Sequence, residues 1–135
     1  MADRYFTPQE ADELLAEVRP LVEAMVSHRR ALAVATVRHS RIATKIAGNG
    51  GGVHPQAIDE LRATIDAEAA EVVRCVEALQ ELGVLVKDLD DGLVDFPALN
   101  DGEEVLLCWR LGEERVAFWH TVDDGFAGRR PLPIE

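Results

Sequence analysis

The chain has 135 residues, of which 47% are hydrophobic and 29% charged, a composition typical of one soluble folded domain. Its formal net charge of −11 argues against nucleic acid or an anionic membrane as a partner, because most of the surface would repel a polyanion. No apolar run approaches the roughly 20 residues that span a bilayer, and the first residues lack the apolar segment of a signal peptide. We expect a single domain, residues 1–135, in the cytoplasm.

The first predicted element is a long helix that begins at TPQE, residues 7–10. The threonine can cap the helix, the proline suits its first position, and the glutamate can complete a capping box. An apolar seam with steps of three and four residues then predicts a helix over residues 8–47, about 60 Å long, with a kink near Pro20. Because that length exceeds the diameter of a compact domain of this size, we expect part of the helix to project.

A glycine-rich segment, GNGGG at residues 48–52, predicts the end of this helix and a reversal of the chain. Pro55 opens a second apolar seam, and Gly83 predicts its end as a left-handed cap. The two seams together predict an antiparallel helical hairpin over residues 7–83, with a spacing like that of a coiled coil.

After the hairpin, the hydrophobic period changes to the alternation of β-strands. Four segments, VLVKDL, LVDFPAL, EVLLCWRL and RVAFWHTV, are separated by the turn signals DDG, NDG and GEE. They predict a four-stranded antiparallel β-meander, which with its C-terminal tail occupies residues 84–135 and makes the fold class α+β. Pro97 would lie in an inner strand without a donor, so we expect a bulge there or pairing that ends just before it.

Turn chemistry predicts the register of this sheet. Two-residue turns would be centred on Asp91-Gly92, Asp101-Gly102 and Gly112-Glu113. The face towards the helices would then include Val94, Phe96, Leu107, Trp109, Phe118 and His120. The opposite, outer face would include Asp88, Asp95, Cys108, Arg110 and Trp119 beside several apolar side chains. Since that face is too apolar to be left in water, we expect the tail, a second subunit or a partner to cover it.

The best-defined candidate site lies on the outer face of the first two predicted strands. Asp88 and Asp95 would stand directly opposite each other, which is destabilising unless a cation, a proton or an arginine intervenes. Arg110, diagonal to Asp95 on the next strand, could supply that charge. In a ligand pocket, Asp95 would act as base or ligand and Arg110 as an anion clamp. The candidate ligand-binding residues are Asp88, Asp95, Arg110, Trp119, His120 and Arg129.

Metal and cofactor chemistry finds little support in the sequence. The predicted register separates His120 from the two aspartates, so we expect no metal site there. We interpret His28 and His39, in the first helix, as partly buried and hydrogen-bonded. No phosphate-binding loop or nucleophile elbow is present, and no cofactor is expected. We interpret Cys75 and Cys108 as reduced structural thiols.

The closing stretch, DGFAGRRPL, places two arginines after a turn in an acidic protein. Arg129 and Arg130 could bind Asp123, Asp124 or the acidic Glu103-Glu104 edge of their own sheet, or a ligand carboxylate or phosphate. We favour the structural clamp, in which Phe126 and Pro131-Leu132 fold back over the outer face.

Several sequence motifs also resemble those of a known bacterial family. They are KDL at 87–89, LVDFP at 93–97, CWRLGE at 108–113 and DGFAGR at 124–129, and the opening FTPQEADELLAEVRPLV is similar to the family's first helix. The family is known only as domain of unknown function 2203. The resemblance implies a small cytoplasmic bacterial protein and brings no assigned activity or catalytic residue.

Two functional hypotheses follow. The favoured one is a non-enzymatic interaction module that forms a homodimer or higher homo-oligomer or binds a protein partner, because the hairpin is over-long and the sheet is apolar on both faces. The alternative is an enzyme or small-ligand-binding protein, with or without metal assistance, whose polar pocket lies on the sheet.

Overall fold

The computed structural model describes residues 2–48 and 55–134. Most of the predicted GNGGG turn, residues 49–52, lies outside the described residues. Helix α1 spans Pro8–Ala47 and helix α2 spans Pro55–Glu81. The strands are β1 (Leu85–Asp88), β2 (Leu93–Asn100), β3 (Glu103–Arg110), β4 (Phe118–Thr121) and β5 (Arg130–Pro131), with a 3-10 turn at Phe126–Gly128. They form one antiparallel sheet in sequence order, so the α+β fold is confirmed, with five strands in place of four.

The start of α1 has the predicted capping box. Thr7 Oγ1 accepts the N–H of Glu10, and the Glu10 carboxylate accepts the N–H of Thr7. These two bonds satisfy donors that a helix otherwise leaves without partners. The helix then continues through Pro20 without interruption.

Burial along the hairpin is uneven. Most buried side chains of α1 lie between Ala11 and Val26, and those of α2 lie between Val72 and Leu79. We call residues 27–47 and 55–71 the distal hairpin. Its only buried side chain is that of Ala35. About 30 Å of α1 lies in this half, and its low burial agrees with the expectation that part of the helix projects.

The main core lies between one face of the sheet and the buried parts of the two helices, residues 11–26 of α1 and 72–79 of α2. Its fully buried side chains include Val18, Val22, Met25, Leu79, Phe96, Leu107 and Trp109. The Trp109 indole N–H donates to the carbonyl of Glu113 at 3.0 Å, and the guanidinium of Arg19 lies 5.3 Å from its ring centroid. The Trp109 ring is therefore buried in the core, and its only hydrogen-bond donor has a partner.

The register of the second hairpin is as predicted. β2 pairs with β3 from Asn100↔Glu103 to Leu93↔Arg110, around the two-residue turn Asp101-Gly102. Both turn residues have positive φ, +51° and +83°, as a hairpin turn of the primed type requires. Asp95 consequently faces Cys108 across these two strands.

The register of the β1–β2 hairpin differs from the prediction. Asp95 pairs with Leu85 and Asp88 pairs with Leu93, with an irregularity between Val86 and Asp88, so the expected Asp88–Asp95 facing pair is wrong. The turn is wider than two residues because the Asp88 carboxylate accepts the N–H groups of residues 90 and 91, at 2.8 and 3.0 Å. An aspartate that bonds the backbone ahead of it stabilises such a turn.

The third connection also differs, with larger consequences. Residues 111–117 form a loop in place of a tight turn, and β4 pairs with β3 as Leu106↔His120 and Leu107↔Trp119. This register is shifted by one residue from the prediction, which moves each β4 side chain to the other face. His120 therefore lies on the outer face and Trp119 joins the core. The loop is held by a bond from the N–H of Val116 to an Asp12 oxygen, at 2.7 Å.

Pro97 is accommodated because β2 is an edge of the sheet there, beyond the last residue of β2 that pairs with β1. β2 continues through it opposite Leu106, but pairing with β1 ends at Asp95, as one of the two expectations had it. The Pro97 carbonyl accepts the N–H of Phe6 at 2.7 Å. The N–H that proline lacks would point to the side where β1 has ended, so no hydrogen bond of the sheet is lost.

The tail covers part of the outer face, which confirms one of the expected forms of cover. The Arg129 guanidinium contacts the rings of Phe118 and Phe126 on the outer face. Pro131 does not fold over this face as predicted, because it pairs with Phe118 in β5 and extends the sheet. Leu132 does not fold over this face as predicted, because it packs against the main core. None of the described helices is long and apolar enough to cross a membrane.

Candidate functional site

A buried polar cluster lies on the outer face, where β2, β3 and β4 are neighbours. It consists of Asp95, Cys108 and His120, one residue from each strand. Their ligand atoms all lie within 4.8 Å of one another, and the residues are 1%, 0% and 3% exposed. We call them the Asp-Cys-His cluster. Rigid neighbouring strands hold it, so its geometry does not depend on a mobile loop.

The hydrogen bonds of His120 define the chemistry of the cluster. Nδ1 lies 2.7 Å from the carbonyl oxygen of Thr121, and since a carbonyl only accepts, Nδ1 carries a hydrogen. Nε2 lies 3.1 Å from both carboxylate oxygens of Asp95. A neutral imidazole with its hydrogen on Nδ1 would thus turn a lone pair towards a carboxylate. The pair therefore requires a proton or a metal cation between Nε2 and the carboxylate.

Burial governs the titration of the other two groups. It raises the pKa of the Asp95 carboxyl, against the lowering effect of His120. It also raises the pKa of the Cys108 thiol to about 11, although Arg129 acts in the opposite direction. A protonated thiol without solvent access is a poor nucleophile. The protein atoms alone therefore do not make a cysteine catalyst.

Arg129 clamps the tail beside this cluster. Its guanidinium donates to both carboxylate oxygens of Glu113, at 3.1 and 2.5 Å, and lies 3.8 Å from the ring centroid of Phe118. One of its nitrogens is 3.8 Å from Cys108 Sγ. Arg129 forms a structural clamp, as predicted, but its partner is Glu113 of the 111–117 loop and not Asp123, Asp124 or the Glu103-Glu104 edge. Arg130 makes a looser pair, at 3.7 Å, with Asp124.

The six predicted site residues separate into distinct places. Asp95, His120 and Arg129 gather around Cys108. Asp88 supports the first turn, Arg110 pairs with Asp91 at 3.7 Å rather than with Asp95, and Trp119 lies in the core. The sequence prediction did not include Cys108 among the site residues, although the confirmed β2–β3 register places it opposite Asp95.

The distal hairpin is a second candidate surface. Residues 27–47 contain five Lys and Arg and no acidic residue, whereas residues 55–71 contain five Asp and Glu and one Arg. On α1, an exposed stripe at helical spacing is formed by Arg30, Val34, Arg38, Arg41 and Lys45. An open groove of about 490 Å³ separates Arg38 and Arg41 on α1 from Glu60 and Leu61 on α2.

Internal polar contacts in the distal hairpin are few. His28 Nδ1 lies 2.6 Å from a Glu68 oxygen, which confirms the interpretation of this histidine as partly buried and hydrogen-bonded. In the part of the chain that the structure describes, the five stripe residues form no ion pair. The basic stripe is therefore available to groups outside the chain.

Comparison with known proteins identifies a family without an assigned activity. The model of the family described as "Uncharacterized conserved protein (DUF2203)" matches residues 4–132. No curated protein and no solved structure matches the chain. Because the family match covers nearly the entire sequence, the chain belongs to the DUF2203 family.

Proposed function

We propose that this protein is a non-enzymatic interaction module that self-associates through its distal hairpin. The observation that carries the proposal is the exposed stripe of α1, in which Val34 lies among basic side chains, together with the exposed Val37 beside it. Val34 is 53% exposed and Val37 is 49% exposed, next to arginines without ion-pair partners among the described residues. A helical face of this composition is typical of a surface that is buried in an assembly.

Charge complementarity favours a second copy of the chain as the partner. The basic half of α1 and the acidic half of α2 have opposite signs, yet Arg38, Arg41 and Asp66 form no ion pair in the described residues. In a two-fold dimer, α1 of one copy can lie against α2 of the other, and the same pairing occurs twice. Such an arrangement places opposite charges together and sets the register of the helices.

The dimensions of the distal hairpin suit a dimer interface. Its exposed face is about 30 Å long and, at two helix diameters, about 20 Å wide. This area is comparable with the roughly 800 Å² that each partner contributes to a stable interface. A four-helix bundle would bury the half-exposed seam residues Leu61 and Ile65 together with the exposed Ile46.

Sedimentation velocity over a concentration series tests the proposal. The wild-type protein is expected to reach twice the 14.8 kDa mass of one chain at micromolar concentrations. Val34→Glu should return it to a monomer, because it places a carboxylate in the interface. Val122→Glu is the matched control, since Val122 is equally exposed, at 57%, but lies in the tail. A wild-type monomer at high micromolar concentration, or equal masses for both variants, would contradict the proposal.

One further observation supports this function over the alternative. Asp88, Arg110 and Trp119 lie away from the predicted pocket on the sheet. The residues of the Asp-Cys-His cluster are at most 3% exposed, so they offer little surface to a substrate. We also propose a cytoplasmic location, which is supported by the two buried cysteines that form no disulfide.

A further inference from the structure

The Asp-Cys-His cluster has the donor set of a transition-metal site. It offers a carboxylate, a thiol and an imidazole from three adjacent strands, within 4.8 Å of one another. In a tetrahedral zinc site, oxygen, nitrogen and sulfur donors lie about 3.3–3.6 Å apart. Asp95 and His120 already meet at 3.1 Å, so only a small inward movement of the thiol is needed.

The imidazole is oriented as a metal ligand is. Nδ1–H of His120 donates to the Thr121 carbonyl, which leaves the lone pair of Nε2 directed at the carboxylate. Metal-binding histidines almost always donate their other ring N–H to a carbonyl or carboxylate, which fixes the tautomer and ring orientation. A cation that both Nε2 and Asp95 bind would resolve the conflict between two acceptors.

Charge balance also favours a divalent ion. The Asp95 carboxylate and a Cys108 thiolate together neutralise two positive charges, so the occupied cluster would be neutral inside the protein. Arg129, 3.8 Å from the sulfur, does not upset this balance because Glu113 neutralises it. A thiolate and an imidazole select zinc-like ions and disfavour Mg²⁺ and Ca²⁺, which prefer oxygen ligands.

We propose that Asp95, Cys108 and His120 bind one divalent transition-metal ion of the zinc class. On binding, the thiol proton and the proton shared by His120 Nε2 and Asp95 are lost to solvent, and the sulfur, Nε2 and a carboxylate oxygen bond to the metal. Three protein donors leave the fourth position of a tetrahedral site to water or to a small ligand. The Arg129 clamp closes the tail over the sulfur side of this site. The proposal does not depend on self-association.

Cobalt substitution tests the site, because Co²⁺ reports thiolate ligation by its charge-transfer absorption. The full chain, treated with a chelator and then titrated with Co²⁺, is expected to bind one ion per chain with this band, and excess Zn²⁺ should displace it. Cys75→Ser removes the other buried cysteine, on α2, and should retain the band. Because the chain has only two cysteines, a retained band assigns the sulfur ligand to Cys108.

Two variants complete the test. Cys108→Ser should abolish the band, and Asp95→Asn should weaken Co²⁺ binding more than about 100-fold, beyond the 10–100-fold effect of an outer contact. Circular dichroism establishes whether each variant is folded. If Cys108→Ser does not fold, wild type and Cys75→Ser still decide. Absence of a thiolate band in the wild type, its loss in Cys75→Ser, or unchanged affinity in folded Asp95→Asn would overturn the proposal.

Discussion

The clamp formed by Arg129 is expected to be a major contributor to the stability of the sheet half. Arg129→Ala removes two charge-assisted hydrogen bonds to Glu113 and the stacking of the guanidinium on Phe118 and Phe126. It also uncovers the sulfur side of the Asp-Cys-His cluster. Arg130 is the matched control, because it follows directly in sequence but is 59% exposed and forms only the 3.7 Å pair with Asp124 and one longer cation–π contact, at 5.3 Å, with Trp119.

The expected magnitude follows from partial burial. The Arg129 and Glu113 side chains are 18% and 22% exposed, so their paired bonds contribute less than two fully buried charged bonds but more than a surface pair, about 1.5 kcal/mol. Two cation–π contacts add about 0.5–1 kcal/mol. Arg129→Ala should therefore lower the free energy of unfolding by about 2–2.5 kcal/mol. Arg130→Ala should lower it by less than about 1 kcal/mol.

Urea unfolding at one fixed protein concentration measures both values. For a urea dependence of about 2 kcal/mol per molar, the Arg129→Ala midpoint should fall by about 1 M or slightly more. Arg129→Lys retains the charge but not the planar fork, and should fall between wild type and alanine. Equal midpoints for Arg129→Ala and Arg130→Ala would refute the argument that the bidentate contact holds the tail.

Two further predictions concern turns. Gly92 and Gly102 both have positive φ, but an added Cβ at Gly92 would lie 2.9 Å from Leu111 and Val22 side-chain atoms, whereas Gly102 has open space. Gly92→Ala should cost about 2–4 kcal/mol and Gly102→Ala about 1 kcal/mol in thermal unfolding, and equal costs would show that packing does not matter there. Separately, bonds from the N–H groups of residues 91 and 90 lower the pKa of Asp88 below 3.8. Its stabilisation is then complete above the unfolded pKa and lost as pH falls through the folded one, and carboxyl NMR titration with a midpoint at or above 3.8 would disprove this.

Features with local causes were predictable from the sequence. The capping box depends on residues 7–10 alone, and the turn at Asp101-Gly102 depends on two residues that tolerate positive φ. Both were predicted correctly. Pairing between β2 and β3 followed from that turn, and with it the position of Asp95 opposite Cys108.

The errors arose where distant contacts override local turn signals. Gly112-Glu113 resembles a tight turn, but Trp109 and Asp12 bond to the 111–117 loop and stabilise a longer connection. The resulting one-residue shift moved His120 to the outer face, and this shift alone assembled the Asp-Cys-His cluster. No local pattern encodes such a shift, because a strand accepts either register when both of its faces carry large apolar side chains.

The two borders of the sheet have a consequence for how assemblies can grow. β1 is short, contains Lys87 and is irregular, while β5 has only two residues, one of them a proline. Edge strands that carry a charge, an irregularity or a proline discourage the addition of strands from neighbouring molecules. Open-ended fibrous stacking through the sheet is thereby disfavoured. The proposed self-association through the helices would instead close on itself in a two-fold arrangement and yield particles of finite size.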